Sequence, residues 1–181
     1  MDDIVKAAMV KWPNVPHCRG WLALDARGEW YLRDEQVQAA GPFPQSRGSH
    51  VEHEKLRQFI ERNYVADGDG AWFFQNGPQR VFIELEAAPW VWRLSPDDAG
   101  GVSVTSHSGK QARFNQALVD ESGRLFLATD LGLGLVHTQD MNLAATQVES
   151  GAWQVDEAVF ADLPGRFGFV LSPLSEAAGE S

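Results

Sequence analysis

Cys18 is the chain's one cysteine, and a lone thiol excludes an internal disulfide framework. It fits a reducing compartment, so a cytoplasmic protein is expected. No apolar run approaches the ~20 residues needed to span a bilayer. The start, Met1-Asp2-Asp3, is acidic and has no apolar segment of the kind a secretory signal needs. Positive charge is scarce: 15 Lys and Arg stand against 25 Asp and Glu, a formal charge of −10 over 181 residues. No basic block offers counter-charge to a phosphate backbone, so nucleic acid and anionic membranes are poor partners. Reactive motifs are missing as well. There is no Cys-x-x-Cys, no His-Glu-x-x-His, no Gly-x-Ser-x-Gly and no phosphate loop. Gly132-Leu133-Gly134 lacks the third glycine and the strand-to-helix setting of a dinucleotide fingerprint. No cofactor is therefore expected.

What is present is ordinary globular composition, 44% apolar and 22% charged, in a chain long enough for one large domain or two small ones. The seven tryptophans read mainly as large rings filling a thin core, and secondarily as the lining of an aromatic groove. The clearest local signal is Ala71–Glu86. Trp72 and Phe74 alternate with Phe73 and Gln75, and Val81, Ile83 and Leu85 alternate with Arg80, Phe82, Glu84 and Glu86. Asn76-Gly77 between them is a hairpin signal, and Pro78 points to a four-residue loop, Asn76–Gln79. The second arm reads as half-wet, with one apolar and one mostly charged face.

One Asp-x-x-Gly signature recurs at Asp25–Gly28, Asp67–Gly70 and Asp120–Gly123. Each has Asp at the first and Gly at the last position of a type I turn and opens a hairpin. An internal duplication and shared turn chemistry both account for them. The fold class is α+β, with antiparallel meanders built from these hairpins. One amphipathic helix is expected at about 50–63, opened by a Ser49/Glu52 capping box and carrying Leu56, Phe59, Ile60 and Tyr64. A second is expected at about 141–149, capped by Asp140 and stopped by Gly151. A short helix at Asp3–Val10 precedes KWPNVPHCRG, and Arg166–Leu171 reads as a last strand. The organisation is an N-terminal arm, 1–20; a hairpin and helix module, 21–88; a meander and helix module packed on the first, 89–174; and a frayed tail, 175–181.

His50 and His53, three apart on the expected helix, are weak metal-ligand candidates because they share one flank, but no third ligand lies near in sequence. Cys18 beside His17 has no activating helix terminus and reads as an inert thiol. The polar cluster Asn76, Gln79 and Arg80 at a hairpin tip, with Trp12 and Trp90, forms the candidate ligand-binding set. Plain turn chemistry accounts for part of it.

The strings KWPNVPHCRGWLALD, FIERNY, WFFQNGPQRVFIELE, PWVWRL and DLGLGLVHTQD resemble a family of uncharacterised bacterial proteins of about this length. That resemblance spans nearly the whole chain and implies no catalytic residue. The order of hairpin, helix and glycine turn, with Glu86, Pro89 and Trp90, is also similar to a second uncharacterised bacterial family with repeated α+β motifs. That family's suggested role is ligand binding or signalling. The sequence thus leads to a non-catalytic protein that binds a small molecule or a protein partner, with an acidic ligand held by Arg80 or a homodimer formed through a sheet edge. The alternative is a small hydrolase or metal-assisted enzyme using His50, His53 and a carboxylate.

Overall fold

A computed structural model describes residues 1–174, so the tail expected at 175–181 lies outside the described residues. The chain divides into two compact units. The first comprises Met1–Asp25, Glu29–Glu86 and the segment from Gly168 on; the second comprises Ala26–Gly28 and Ala87–Phe167.

The first unit is a six-stranded sheet of β1 (Cys18–Leu24), β2 (Trp30–Leu32), β3 (Ser49–His50), β4 (Tyr64–Ala66), β5 (Trp72–Asn76) and β6 (Gln79–Leu85), in the order β3-β2-β1-β6-β5-β4. The hairpins are antiparallel, and β1 joins β6 in parallel, with Leu22 opposite Ile83 and Leu24 opposite Leu85. Three helices accompany it: α1 (Asp3–Lys11), α2 (Glu35–Ala40) and α3 (Glu54–Arg62).

Several local expectations change here. Asn76 pairs with Gln79, so the loop is the two-residue Gly77-Pro78. Gly77 has φ +57° and proline fixes the next φ near −65°, which together suit a tight primed turn better than a wider loop. Strand β6 is buried on both faces rather than half-wet. Its odd-numbered face lies with Leu22, Leu24 and Phe74 across the ladders, while Phe82 packs with Ala71, Phe73, Val65 and Val170. Val170, part of this cover, comes from the far end of the chain, where alternation within β6 could not reveal it.

Helix α3 starts at Glu54, not near 50. Ser49 and His50 pair with Leu32 and Tyr31 as strand β3, and the His53 side chain accepts from the Leu56 N–H as the actual cap. Extended pairing won over the Ser49/Glu52 box. Helix α2 was not anticipated. Asp34 caps it by accepting from the Val37 N–H at 2.9 Å, and Gly41 follows its last residue.

The second unit is a seven-stranded sheet of β7 (Trp90–Pro96), β8 (Val102–Ser106), β9 (Gln111–Ala112), β10 (Phe114–Val119), β11 (Leu125–Thr129), β12 (Gly132–Val136) and β13 (Val155–Glu157). Its order is β13-β10-β11-β12-β7-β8-β9. Helix α4 occupies Met141–Glu149, the expected span. Asp140 stands at its N-cap, but the carboxylate turns away and takes Arg93 Nε at 2.6 Å and the Leu94 N–H at 3.0 Å. The expected last strand is instead α5 (Leu163–Phe167), followed by a left-handed Gly168 and an irregular segment.

Read from β9 to β10, the second sheet repeats the first. The order β9-β8-β7-β12-β11-β10 matches β3-β2-β1-β6-β5-β4 strand for strand, and within each set of six the parallel ladder falls at the same place. The turns match too. β1–β2, β4–β5, β7–β8 and β10–β11 are all joined by Asp-x-x-Gly, and β5–β6 and β11–β12 by two residues. This is the arrangement an internal duplication leaves. Strand β13 is an addition, parallel to β10.

Each turn is built alike. Asp67 Oδ1 accepts from the N–H of Asp69 and Ala71, Gly70 N–H donates to the Asp67 carbonyl, and Asp67 N–H donates to the Ala71 carbonyl. Asp97 and Asp120 repeat the pattern, and Ser106 does so with its hydroxyl ahead of Gly109. The closing glycines have φ between +80° and +84°, where a Cβ is strained.

Among the described residues no helix is long and apolar enough to cross a membrane.

Candidate functional site

The candidates drawn from sequence divide between the two units. Gln79 Nε2 donates to the Pro16 carbonyl at 3.1 Å, tying the hairpin to the N-terminal arm. The Arg80 guanidinium lies 4.5 Å from the centre of the Phe73 ring. His17 stands edge-on to Phe82, and burial together with Arg80 and Arg19 holds its imidazole below the usual range. Asn76 is exposed and serves as the last residue of β5. Trp12 is half exposed, under the Lys11 ammonium at 4.5 Å. These five residues belong to the first unit. Trp90 belongs to the second and is buried, stacked on Trp92 at 5.9 Å, its indole N–H donating to the Leu131 carbonyl at 2.9 Å. Gly134 sits beneath the pair, and a Cβ there would collide with the Trp92 indole and with the Trp90 Cβ. The Gly-Leu-Gly string thus clears space for tryptophans.

His50 and His53 are not on one helix. His50 Nε2 lies 2.7 Å from Glu29 Oε2, while His53 is occupied as the cap of α3. Among the described residues no three His, Cys, Asp or Glu side chains gather as a metal would require. The Cys18 thiol is pushed up by burial, consistent with an inert side chain.

The structure assembles a different site in the first unit. Arg33 follows β2 and is 1% exposed. Its guanidinium donates to three backbone carbonyls: Nη1 to Gly20 at 3.1 Å, Nη2 to Gly41 at 2.8 Å and Nε to Ser46 at 3.1 Å. One buried cation therefore draws the loop after α2 against β1, and burial lowers its proton affinity. Gln38 of α2 donates to the Arg33 carbonyl at 2.9 Å. Behind these residues lies a cavity of about 320 Å³, lined by Arg33, Gln38, Phe43, Glu84, Ser172 and Leu174 among others.

Glu84 is the distinctive group there. It is 5% exposed, and burial pushes its carboxyl above the usual range against the opposing effects of the Ser172 side chain, Arg33 and the Leu174 backbone. Its Oε1 is buried and has no hydrogen-bond partner among the described residues. A buried carboxylate oxygen left unmatched costs roughly 1–3 kcal/mol or more, so such atoms are rare where nothing binds. The matching position in the second sheet makes the contrast plain. Glu84 is five residues past Gln79 at the turn, as His137 is five past Gly132. His137 is also buried, yet its Nδ1 accepts from the Gln139 N–H and caps the following turn. The polar group in the second unit has a structural task; an oxygen of Glu84 has none.

Two cavities of the second unit lack this property. One of about 670 Å³ is lined by Asp120, Glu121, Asp162 and Arg166, but Asp120 is bound by Arg124 at 2.8 Å and Glu121 accepts from the Phe160 N–H at 2.8 Å. The other, about 330 Å³ against α4, is lined almost wholly by apolar side chains. Sequence reasoning missed the Arg33–Glu84 site because Glu84 alternates with Arg80 and Glu86 and so looked solvated. Asp34 and Gly41, bracketing EQVQAA, were a readable signal for α2.

No curated protein matches this chain. Among solved structures it is similar to a DUF1285 family protein from Silicibacter pomeroyi DSS-3, at 13% identity over 78% of this chain and 82% of that one, with TM-score 0.46. It is also similar to a DUF1285 family protein from Shewanella baltica OS155, at 13% identity over 70% of this chain and 91% of that one, with TM-score 0.49. Residues 1–174 match the DUF2944 family model, described as "Protein of unknown function (DUF2946)", and the chain belongs to that family.

Proposed function

We propose that this protein is a non-catalytic binding protein whose ligand is a small molecule held in the first unit, in the cavity between Arg33 and Glu84. The observation that carries this reading is the buried Oε1 of Glu84, at the wall of a roughly 320 Å³ space and without a partner among the described residues. That volume is at the lower end of small-molecule sites, which run from ~300 to ~1,000 Å³ and combine apolar walls with a few fixed polar groups. Phe43, Pro42 and Leu174 supply the walls here, and Glu84 and Ser172 the polar groups.

A fragment screen on the full chain, read by amide chemical shifts, tests the reading. Hits are expected to perturb Gln38, Gly41, Phe43 and Glu84 together. A screen whose hits leave these amides unmoved overturns it.

A further inference from the structure

We infer that the ligand taken by this cavity carries an amine, so that its ammonium group donates to Glu84 Oε1; this rests on the binding reading above and specifies its chemistry. Three observations set the class. First, in the ionised carboxylate the unmatched atom is an acceptor, so the ligand that form takes must bring a donor. Second, the cation already in the wall is engaged elsewhere: each of the three nitrogens of Arg33 donates to a carbonyl, of Gly20, Gly41 and Ser46, and no ion pair joins Arg33 to Glu84 among the described residues. An anionic ligand would meet the spare oxygen of a carboxyl, while three of the five N–H donors of Arg33 are already taken by carbonyls. Third, the neighbouring wall is one that cations favour. The Phe43 ring already has Arg33 and Arg47 at 6.0 and 5.8 Å from its centre.

A charge-assisted N–H to carboxylate bond is about twice as strong as a neutral one, and more so out of water. An ammonium thus gains over an alcohol of the same shape. Size limits the rest of the molecule. The cavity holds the volume of ~10 liquid waters at ~30 Å³ each, which suits a small amine with a short apolar body. No covalent step is involved; the ligand enters and leaves as a cation.

The test compares isosteric probes on the wild-type chain: n-butylammonium, n-butanol and n-butyrate, each titrated while amide shifts are followed. Saturable shifts at Gln38, Gly41, Phe43 and Glu84 are expected for n-butylammonium, with butanol at least tenfold weaker and butyrate without effect. Glu84→Gln should reduce ammonium binding at least tenfold while altering butanol binding less than threefold, and the wild-type series decides the matter even if that variant does not fold. Butanol or butyrate binding there as well as the ammonium overturns the amine assignment and leaves the cavity a binding site. No probe binding there, with an equally blank fragment screen, overturns both.

Discussion

Glu84 and Asp140 are both buried acids on or beside a sheet, and their surroundings drive them in opposite directions. Burial dominates at Glu84 and raises its carboxyl above the ordinary 4.5. Between that value and the raised folded one, the native state keeps a proton the unfolded chain has released. Stability therefore falls as pH rises through that window, and the penalty is complete above the folded value. Glu84→Gln keeps an acceptor for Ser172 and removes the charge. Its urea midpoint at pH 8 is expected to equal or exceed that of the wild type, and its stability should change less between pH 4.5 and 7. At Asp140 the Arg93 guanidinium, at 2.6 and 3.2 Å, outweighs burial and holds the carboxyl below the ordinary 3.8. This contribution is present above 3.8 and is lost as pH falls through the folded value. Asp140→Asn should lower unfolding free energy by about 2 kcal/mol at pH 7, a charged hydrogen bond plus a buried N–H, and flatten the acid limb of the denaturation curve. Neither behaviour was legible in the sequence. Asp140 looked like a helix cap, and Glu84 like one more solvated acid, because the groups that decide their state are 46 or more residues away along the chain.

At the scale of elements, the turns were the most readable part. Asp-x-x-Gly fixes its own geometry through bonds among five consecutive residues, so three of these hairpins could be placed without any tertiary information. The copy at Asp97–Gly100 carried the same letters and was overlooked, while Ser106–Gly109 disguised the pattern by replacing carboxylate with hydroxyl. Equivalent turns need not be equally tolerant. Gly70 and Gly123 share φ near +80°, but a Cβ at Gly70 would strike the Gly168 carbonyl, whereas nothing lies within 4 Å at Gly123. Gly123→Ala should cost about 1 kcal/mol, the ordinary charge for a left-handed alanine. Gly70→Ala should cost at least twice that, measured by urea midpoints on both variants. Gly134→Val should likewise displace the stacked Trp90 and Trp92, seen as a red shift in tryptophan emission and an earlier midpoint. The tryptophans split as composition suggested. Trp30, Trp90, Trp92 and Trp153 are buried, while Trp12 and Trp21 stay substantially exposed.

At the scale of the whole molecule, the two sheets share a strand order that three turn motifs only hinted at; pairing partners such as β1 with β6 lie some 60 residues apart and leave no local trace. The segment from Gly168 on belongs to the first unit although it follows the second in sequence. There Val170 N–H donates to the Gly70 carbonyl, the Leu85 N–H donates to the Leu171 carbonyl, and Phe169 is buried. A chain ended after Phe167 loses a buried aromatic worth about 3–5 kcal/mol and uncovers Phe73 and Phe82. Hydrogen exchange on that truncation is expected to show fast amides in β4–β6 and retained protection in β10–β12. The same feature governs birth on the ribosome. The second unit is synthesised before the segment from Gly168 on, so the earlier-made sheet waits, with an uncovered face, until that segment emerges.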